Sequence, residues 1–249
     1  MGVDVELHGA AAVVTLRWTD RRNALGPYEA RAVAEAITEA GTLGRVVVLT
    51  GEGSFCAGGD LKAFGEISAR LTPPEIRTHV YGDVQAMVRA LRDVTVPTIA
   101  AVDGAAVGLG MDLALACDSR FIGPKGFLQQ GWGRAGLISA TGGTWFLEQA
   151  GPGSLWALLA DQPRLDGDAC VARGLADPAD GSTALDAAVE RATHLAVVPA
   201  DTLAAYAVLS RKQRWPSDDY FDLCADYQSE FIGSDRFRDL TARMLAATS

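Results

Sequence analysis

Residues 108–118 read GLGMDLALACD, a run of apolar side chains and glycines with an acid, Asp112, at its middle. A carboxylate in such a run is costly to bury unless it is partnered or put to use. Burial also raises a carboxyl pKa, which suits a group that must take or give a proton near neutrality. Asp112 is therefore the first candidate for acid–base chemistry. The structural alternative for the same residue is that it hydrogen-bonds a neighbouring turn and holds a loop.

Two glycine-flanked segments share one layout. RVVVLTGEGSFCAGGDL (45–61) and TIAAVDGAAVGLGMDL (98–113) each read as strand, glycine turn and helix start. Glycines let the backbone approach a ligand closely. A helix N-terminus offers unpaired N–H groups to negative charge. No G-x-x-x-x-G-K-[ST] occurs, which excludes a P-loop. A dinucleotide fingerprint begins at Gly108 and Gly110 but has Leu113 at its third glycine position. Taken singly, each segment also fits a tight turn with close packing.

The elements that must position these segments alternate strand and helix in the first half of the chain. Residues 3–18 suggest a hairpin or two short strands, 27–41 a helix, 45–51 a buried strand, 73–93 one long amphipathic helix, 95–104 a second buried strand and SRFIG (119–123) another. From about residue 144 the pattern is mostly helical and ends in a helix over 217–247. The fold class is α/β, with a core over 1–195 and a helical region over 196–249.

Composition narrows the function. The 249 residues are 49% hydrophobic and 21% charged, with a net charge of -9 and a pI near 4.8. That argues against a nucleic-acid partner, which needs a basic stripe. Cys56, Cys117, Cys170 and Cys224 form no C-x-x-C pair and no metal-ligand spacing, so reduced thiols, no metal and a cytoplasmic location are expected. MGVDVELHGA does not have the layout of a signal peptide, and Glu6 stands where myristoylation wants Ser or Thr. The apolar stretch 98–117 is broken by Asp103 and Asp112 and reads as core, not as a membrane span.

Together the segments resemble the enoyl-CoA hydratase/isomerase (crotonase) superfamily. RRNAL (21–25) looks like its CoA-contacting loop and FCAGGDLKAF (55–64) like its first oxyanion segment. VPTIAAVDGAAVGLGMDLALACDSRF (96–121) resembles the second almost position by position. GLISATGGT (136–144), LDGDACVARGLAD (165–177) and SEFIGSDRFRDLTARMLA carry the likeness to the C-terminus. The resemblance implies a crotonase-type spiral of ββα units followed by helices that pack between subunits, in trimers or dimers of trimers. It implies an acyl-CoA substrate and no cofactor beyond the coenzyme A the substrate carries. The backbone amides of Gly59 and Leu109 are carried over as oxyanion donors, each worth about 3–4 kcal/mol in a transition state. Arg22, Ala24, Ala57, Lys62, Tyr81, Trp132 and Ala140 are carried over as substrate-binding positions.

Asp112 lies three residues past Leu109, so on a helix its side chain falls near the face of the Leu109 amide. The second acid is where the chain departs from the family. Hydratases place a glutamate about 20 residues downstream; here that position is Trp132, or Gly131 with one gap. Isomerase- and dehalogenase-like relatives place an aspartate eight residues further on, where Ala140 stands. FLQQGWGRAGLISATGG contains no acid at all. His79, Tyr81, Asp83 and Gln85 are the polar candidates on the 73–93 helix. Trp132 and Trp145 read as walls for a flat acyl group or as core. Arg21, Arg22 and Lys62 could meet the CoA phosphates or simply be solvated. Asp60 reads as a helix cap, and Asp118 with Arg120 as a structural pair.

The leading expectation is a hydratase/isomerase-type enzyme with an altered acid–base set centred on Asp112. A divergent crotonase (decarboxylase, C–C lyase or biosynthetic tailoring enzyme) and a non-catalytic acyl-CoA binder remain as alternatives.

Overall fold

The structure is a computed structural model and describes residues 2–246. In chain order its elements are β1 (Val3–His8), β2 (Ala11–Leu16), α1 (Pro27–Leu43), β3 (Val46–Gly51), α2 (Leu61–Ser68), α3 (Pro73–His79), α4 (Tyr81–Asp93), β4 (Thr98–Val102), β5 (Ala105–Val107) and α5 (Leu109–Ala116). They continue as β6 (Ser119–Ile122), β7 (Phe127–Gln129), α6 (Gly143–Ala150), α7 (Ser154–Asp161), α8 (Gly167–Ala172), β8 (Asp177–Pro178), α9 (Ala184–Leu195), α10 (Ala200–Arg214), α11 (Asp218–Ile232) and α12 (Asp235–Ala246).

The main sheet has the order β1-β2-β3-β4-β6-β8, and β5 pairs with β7 in a small second sheet. Among the described strands the β1–β2 hairpin is antiparallel and the other pairings are parallel; an isolated antiparallel bridge joins Leu128 to Leu165. The chain spirals: a strand enters the main sheet, a short extended segment turns into the second layer, and a helix leads back. Parallel strands covered on both faces read as continuous apolar runs. Here β2 sends Ala12, Val14 and Leu16 into the core shared with α1 and α4, and Ala11 and Val13 into the one shared with α9. The period of two along a strand makes that division. On α9, Ala184, Ala188 and Ala192 recur every fourth residue and form the small, flat face that meets the sheet.

Two expected helices are each broken in two. The 73–93 helix bends at Val80, whose φ of -105° departs from helical geometry. Its halves serve different partners, α3 packing on α11 and α4 on α1. The C-terminal helix stops at Gly233, and the Ser234 hydroxyl then accepts from the Phe237 N–H to start α12. The 247 end expected for that helix lies outside the described residues. No single helix among the described residues is long and apolar enough to cross a membrane.

Asp118 and Arg120 are not paired with each other. The Arg211 guanidinium binds Asp118 at 2.5 Å, and the Thr98 N–H donates to the same carboxylate at 2.8 Å. Arg120 instead donates to the Leu175 and Cys117 carbonyls. Asp118 and Arg120 sit two apart on an extended segment, but the carboxylate has a buried cation on α10 to meet. Asp60 does cap α2, accepting from the Lys62 and Ala63 N–H groups.

Candidate active site

Three extended rows lie side by side. The Ala57 N–H donates to the Arg22 carbonyl at 3.0 Å and the Leu25 N–H to the Gly58 carbonyl at 2.9 Å, joining the 22–25 loop to the 56–60 segment. The Cys56 N–H donates to the Ala105 carbonyl at 2.8 Å, and the Val107 N–H returns a bond to the Cys56 carbonyl at 3.0 Å, joining that segment to β5. Cys56 and Ala106 are thus partners in a parallel bridge. Gly59 lies three residues past Cys56 and Leu109 three past Ala106, so both fall at the same end of the paired rows.

Neither the Gly59 nor the Leu109 amide donates to a protein acceptor among the described residues. Leu109 is the first residue of α5, where an N–H has no intrahelical partner. Two glycines make the approach possible. Gly108 precedes α5 with a φ of +51°, which a side chain would strain. At Gly110 an added Cβ would stand 2.1 Å from the Cys56 carbonyl oxygen, so the helix start abuts the neighbouring row directly.

Asp112 is 5% exposed, one turn into α5. Its Oδ2 accepts from Trp132 Nε1 at 2.9 Å, from Ser139 Oγ at 2.7 Å and from Thr141 Oγ1 at 2.8 Å. Burial raises its pKa to about 6, against the lowering effect of those three donors. Oδ1 takes none of the three bonds. It lies against the Gly143 backbone, where an added Cβ would be 1.7 Å away. The cavity beside it, bordered also by Met111, Trp132 and Ser139, has a volume of about 10 Å³, room for about one water.

Trp132 has a larger part than a wall. Its ring lies 3.6 Å from where a Cβ on Gly108 would be and 3.9 Å from one on Gly59. One indole therefore reaches from both glycine segments to the carboxylate. It stands at the position carried over for the second acid, where its N–H donates one hydrogen bond but is too weakly acidic to transfer its proton. The structural alternative for Asp112 also holds: the carboxylate ties down the loop that follows β7.

The other expected positions separate into two groups. Arg22 and Lys62 are exposed on the rim of the three rows, with Ala24 and Ala57 partly buried between them. Arg22 and Asn23 both have left-handed backbone, and Asn23 Nδ2 donates to the Ser54 carbonyl at 2.6 Å, which pins this loop. Arg21 is engaged by Glu29 at 2.8 Å. Ala140 is buried in the loop between Ser139 and Thr141, and its side chain makes no polar contact with Asp112.

The helix residues are not brought to the carboxylate. Tyr81 is 3% exposed and its phenol meets the Gln228 carboxamide; burial pushes its pKa strongly upward. His79 is exposed at the end of α3, and Asp83 pairs with Arg31. Trp145 points its Nε1 at the Arg214 carbonyl and packs edge-on against Tyr220. The bend at Val80 and the docking of α11 over this face account for the difference.

Sequence reasoning missed Ser139 and Thr141. Ser139 precedes a turn and Thr141 lies within it, so neither a strand nor a helix period marked the pair; the only signal was two hydroxyls flanking one small residue in SAT.

The chain is similar to known proteins along most of its length. A family model described as enoyl-CoA hydratase/isomerase matches residues 6–241. A probable enoyl-CoA hydratase of Mycobacterium tuberculosis is 34% identical over 214 residues, covering 82% of this chain and 79% of that protein. A crystal structure of an enoyl-CoA hydratase from Polaromonas sp. JS666 is 28% identical, with a TM-score of 0.78 over 100% of this chain and 96% of that one. An enoyl-CoA hydratase/isomerase from Mycobacterium paratuberculosis, at 24% identity, shares the fold with a TM-score of 0.85 over 97% of both chains.

Proposed function

Because the chain belongs to the enoyl-CoA hydratase/isomerase family, we propose that it generates the enolate of an acyl-CoA thioester and moves a proton with one carboxylate, Asp112. The observation that carries this is the pair of unpartnered amides at Gly59 and Leu109, aligned by the Cys56–Ala106 bridge, with Asp112 one turn further on. Preorganised N–H donors stabilise an oxygen as it gains charge and need no reorganisation at the moment of reaction.

In this reading the thioester oxygen accepts from both amides. Asp112, ionised above its pKa of about 6, takes a proton from the acyl chain. The electron pair left behind spreads to the thioester oxygen, and the same carboxyl returns the proton to another carbon. Such a shift of a double bond needs one acid–base group. Adding water needs the water held and activated as well, and Trp132 cannot accept its proton. Isomerisation is therefore favoured over hydration. The space adjoining Asp112 is about 10 Å³, so acyl carbons reach the carboxylate only when the side chains around it shift.

The same small volume supports a second reading, an acyl-CoA binder without turnover. In either reading Arg22 and Lys62 face the CoA phosphates, and no cofactor beyond coenzyme A is required. Residues 196–249 provide the helical region for homo-oligomer assembly, in a cytoplasmic trimer or dimer of trimers.

The test is incubation with a 3-enoyl-CoA and with crotonyl-CoA, read at the conjugated enone band. The first should gain absorbance and the second lose little. Asp112→Asn should abolish the gain and leave CoA affinity nearly intact. Binding without change in any thioester would favour the binder.

A further inference from the structure

The loop that presents Ser139 and Thr141 to Asp112 is held at two points between and beside those residues. The Ile138 N–H donates to Gln228 Oε1 at 2.9 Å. Gln85 Nε2 donates to the Ala140 carbonyl at 2.9 Å and to the Phe221 carbonyl at 2.8 Å. Gln228 is fully buried and Gln85 is 5% exposed. The arrangement alternates: side chains 139 and 141 reach the carboxylate, while backbone groups of 138 and 140 are taken by the two carboxamides. Buried backbone polar groups need partners, but a partner on each side of Ser139 also sets where both hydroxyls point.

We propose that Gln85 and Gln228 are positioning residues for Asp112, clamping the 137–142 loop so that Ser139 and Thr141 both reach Oδ2. Gln85 comes from α4, and Gln228 and the Phe221 carbonyl come from α11. The carboxylate in the first half of the chain is thereby tied to a helix more than a hundred residues downstream. Only the consequence for turnover rests on Asp112 being the proton-transfer group; the clamp itself does not. Other titratable groups around the carboxylate and its supports are Cys56, Tyr220 and Cys224, which sense its charge, Tyr81 beside Gln228, and Arg89, which donates to Gln85 Oε1 at 3.3 Å.

The experiment titrates Asp112 directly by carbon NMR of protein carrying carboxyl-labelled aspartate, with the signal assigned by its loss in Asp112→Asn. Ser139→Ala with Thr141→Val removes the two hydroxyls and should move the midpoint up by about one unit or more, because burial then acts with less opposition. Gln85→Met and Gln228→Met keep side-chain length but lose the carboxamide; each should move the midpoint in the same direction while thermal unfolding stays cooperative. A midpoint unchanged in both glutamine variants overturns the proposal. So does an unchanged midpoint in the hydroxyl double variant, a test that stands even where a glutamine variant does not fold. A midpoint that moves while turnover stays constant supports the clamp and removes Asp112 from the chemistry, so the two readings fail separately.

Discussion

Trp132 Nε1 donates to Asp112 Oδ2 at 2.9 Å, across 20 residues of sequence. It shares that oxygen with Ser139 and Thr141, so a single carboxylate atom gathers three donors from one loop. In the proposed function this bond takes the place of a second acid: the indole donates a hydrogen bond and transfers no proton.

Trp132→Phe keeps the ring and deletes the donor. One lowering influence on Asp112 is lost, so its pKa rises from about 6, and the acidic limb of a pH–rate profile moves to higher pH. Trp132→Ala also opens a cavity and should destabilise the fold by about 3–5 kcal/mol. Thermal unfolding separates the two variants, since only the second should unfold much earlier.

Asp112 also affects stability as pH changes. Its folded pKa of about 6 lies above the ordinary 3.8. Between those values the folded state holds a proton that the unfolded state has released, so stability falls as pH rises through that window. The full loss is on the order of 2–3 kcal/mol. Asp112→Asn removes this dependence. The difference in melting temperature between variant and parent should therefore shift in favour of the variant between pH 4 and pH 8. An offset that is the same at both would sink the assignment.

Gly110→Ala tests the alignment of the two amides. Its Cβ would meet the Cys56 carbonyl at 2.1 Å, which forces α5 away from the neighbouring row. Misplacing one oxyanion donor should lower kcat by about 10²–10³. Gly82→Ala is the matched control: nothing lies within 4 Å of its added Cβ, and it should stabilise α4 by about 0.5–1 kcal/mol. Steady-state kinetics and unfolding of both variants make the comparison.

Arg211→Met should cost about 3–5 kcal/mol in urea unfolding. The arginine is 3% exposed at its side chain, binds Asp118 at 2.5 Å and donates to the Val96 carbonyl at 2.7 Å. Its loss leaves Asp118, just before β6, without its main cation and frees the strand connection over residues 94–96. A change below 1 kcal/mol would mean that Arg214 takes over.

What the sequence by itself determined is what a few consecutive residues encode. The apolar runs of β2, β3 and β4, the glycines before Gly59 and Leu109, and the acid one turn past Leu109 act over ranges of three to six residues, where backbone geometry repeats. Those patterns carried the fold class, the family and the candidate carboxylate. Only the tertiary structure decided who meets that carboxylate. Trp132, Ser139 and Thr141 approach it from 20 to 29 positions away, and Gln85 and Gln228 steady their loop from two other helices. The same holds for Asp118, whose cation lies 93 residues on. A hydrogen bond selects its partner by distance and direction in space, and until helices bend at Val80 and stop at Gly233 many side chains of suitable type compete for each place.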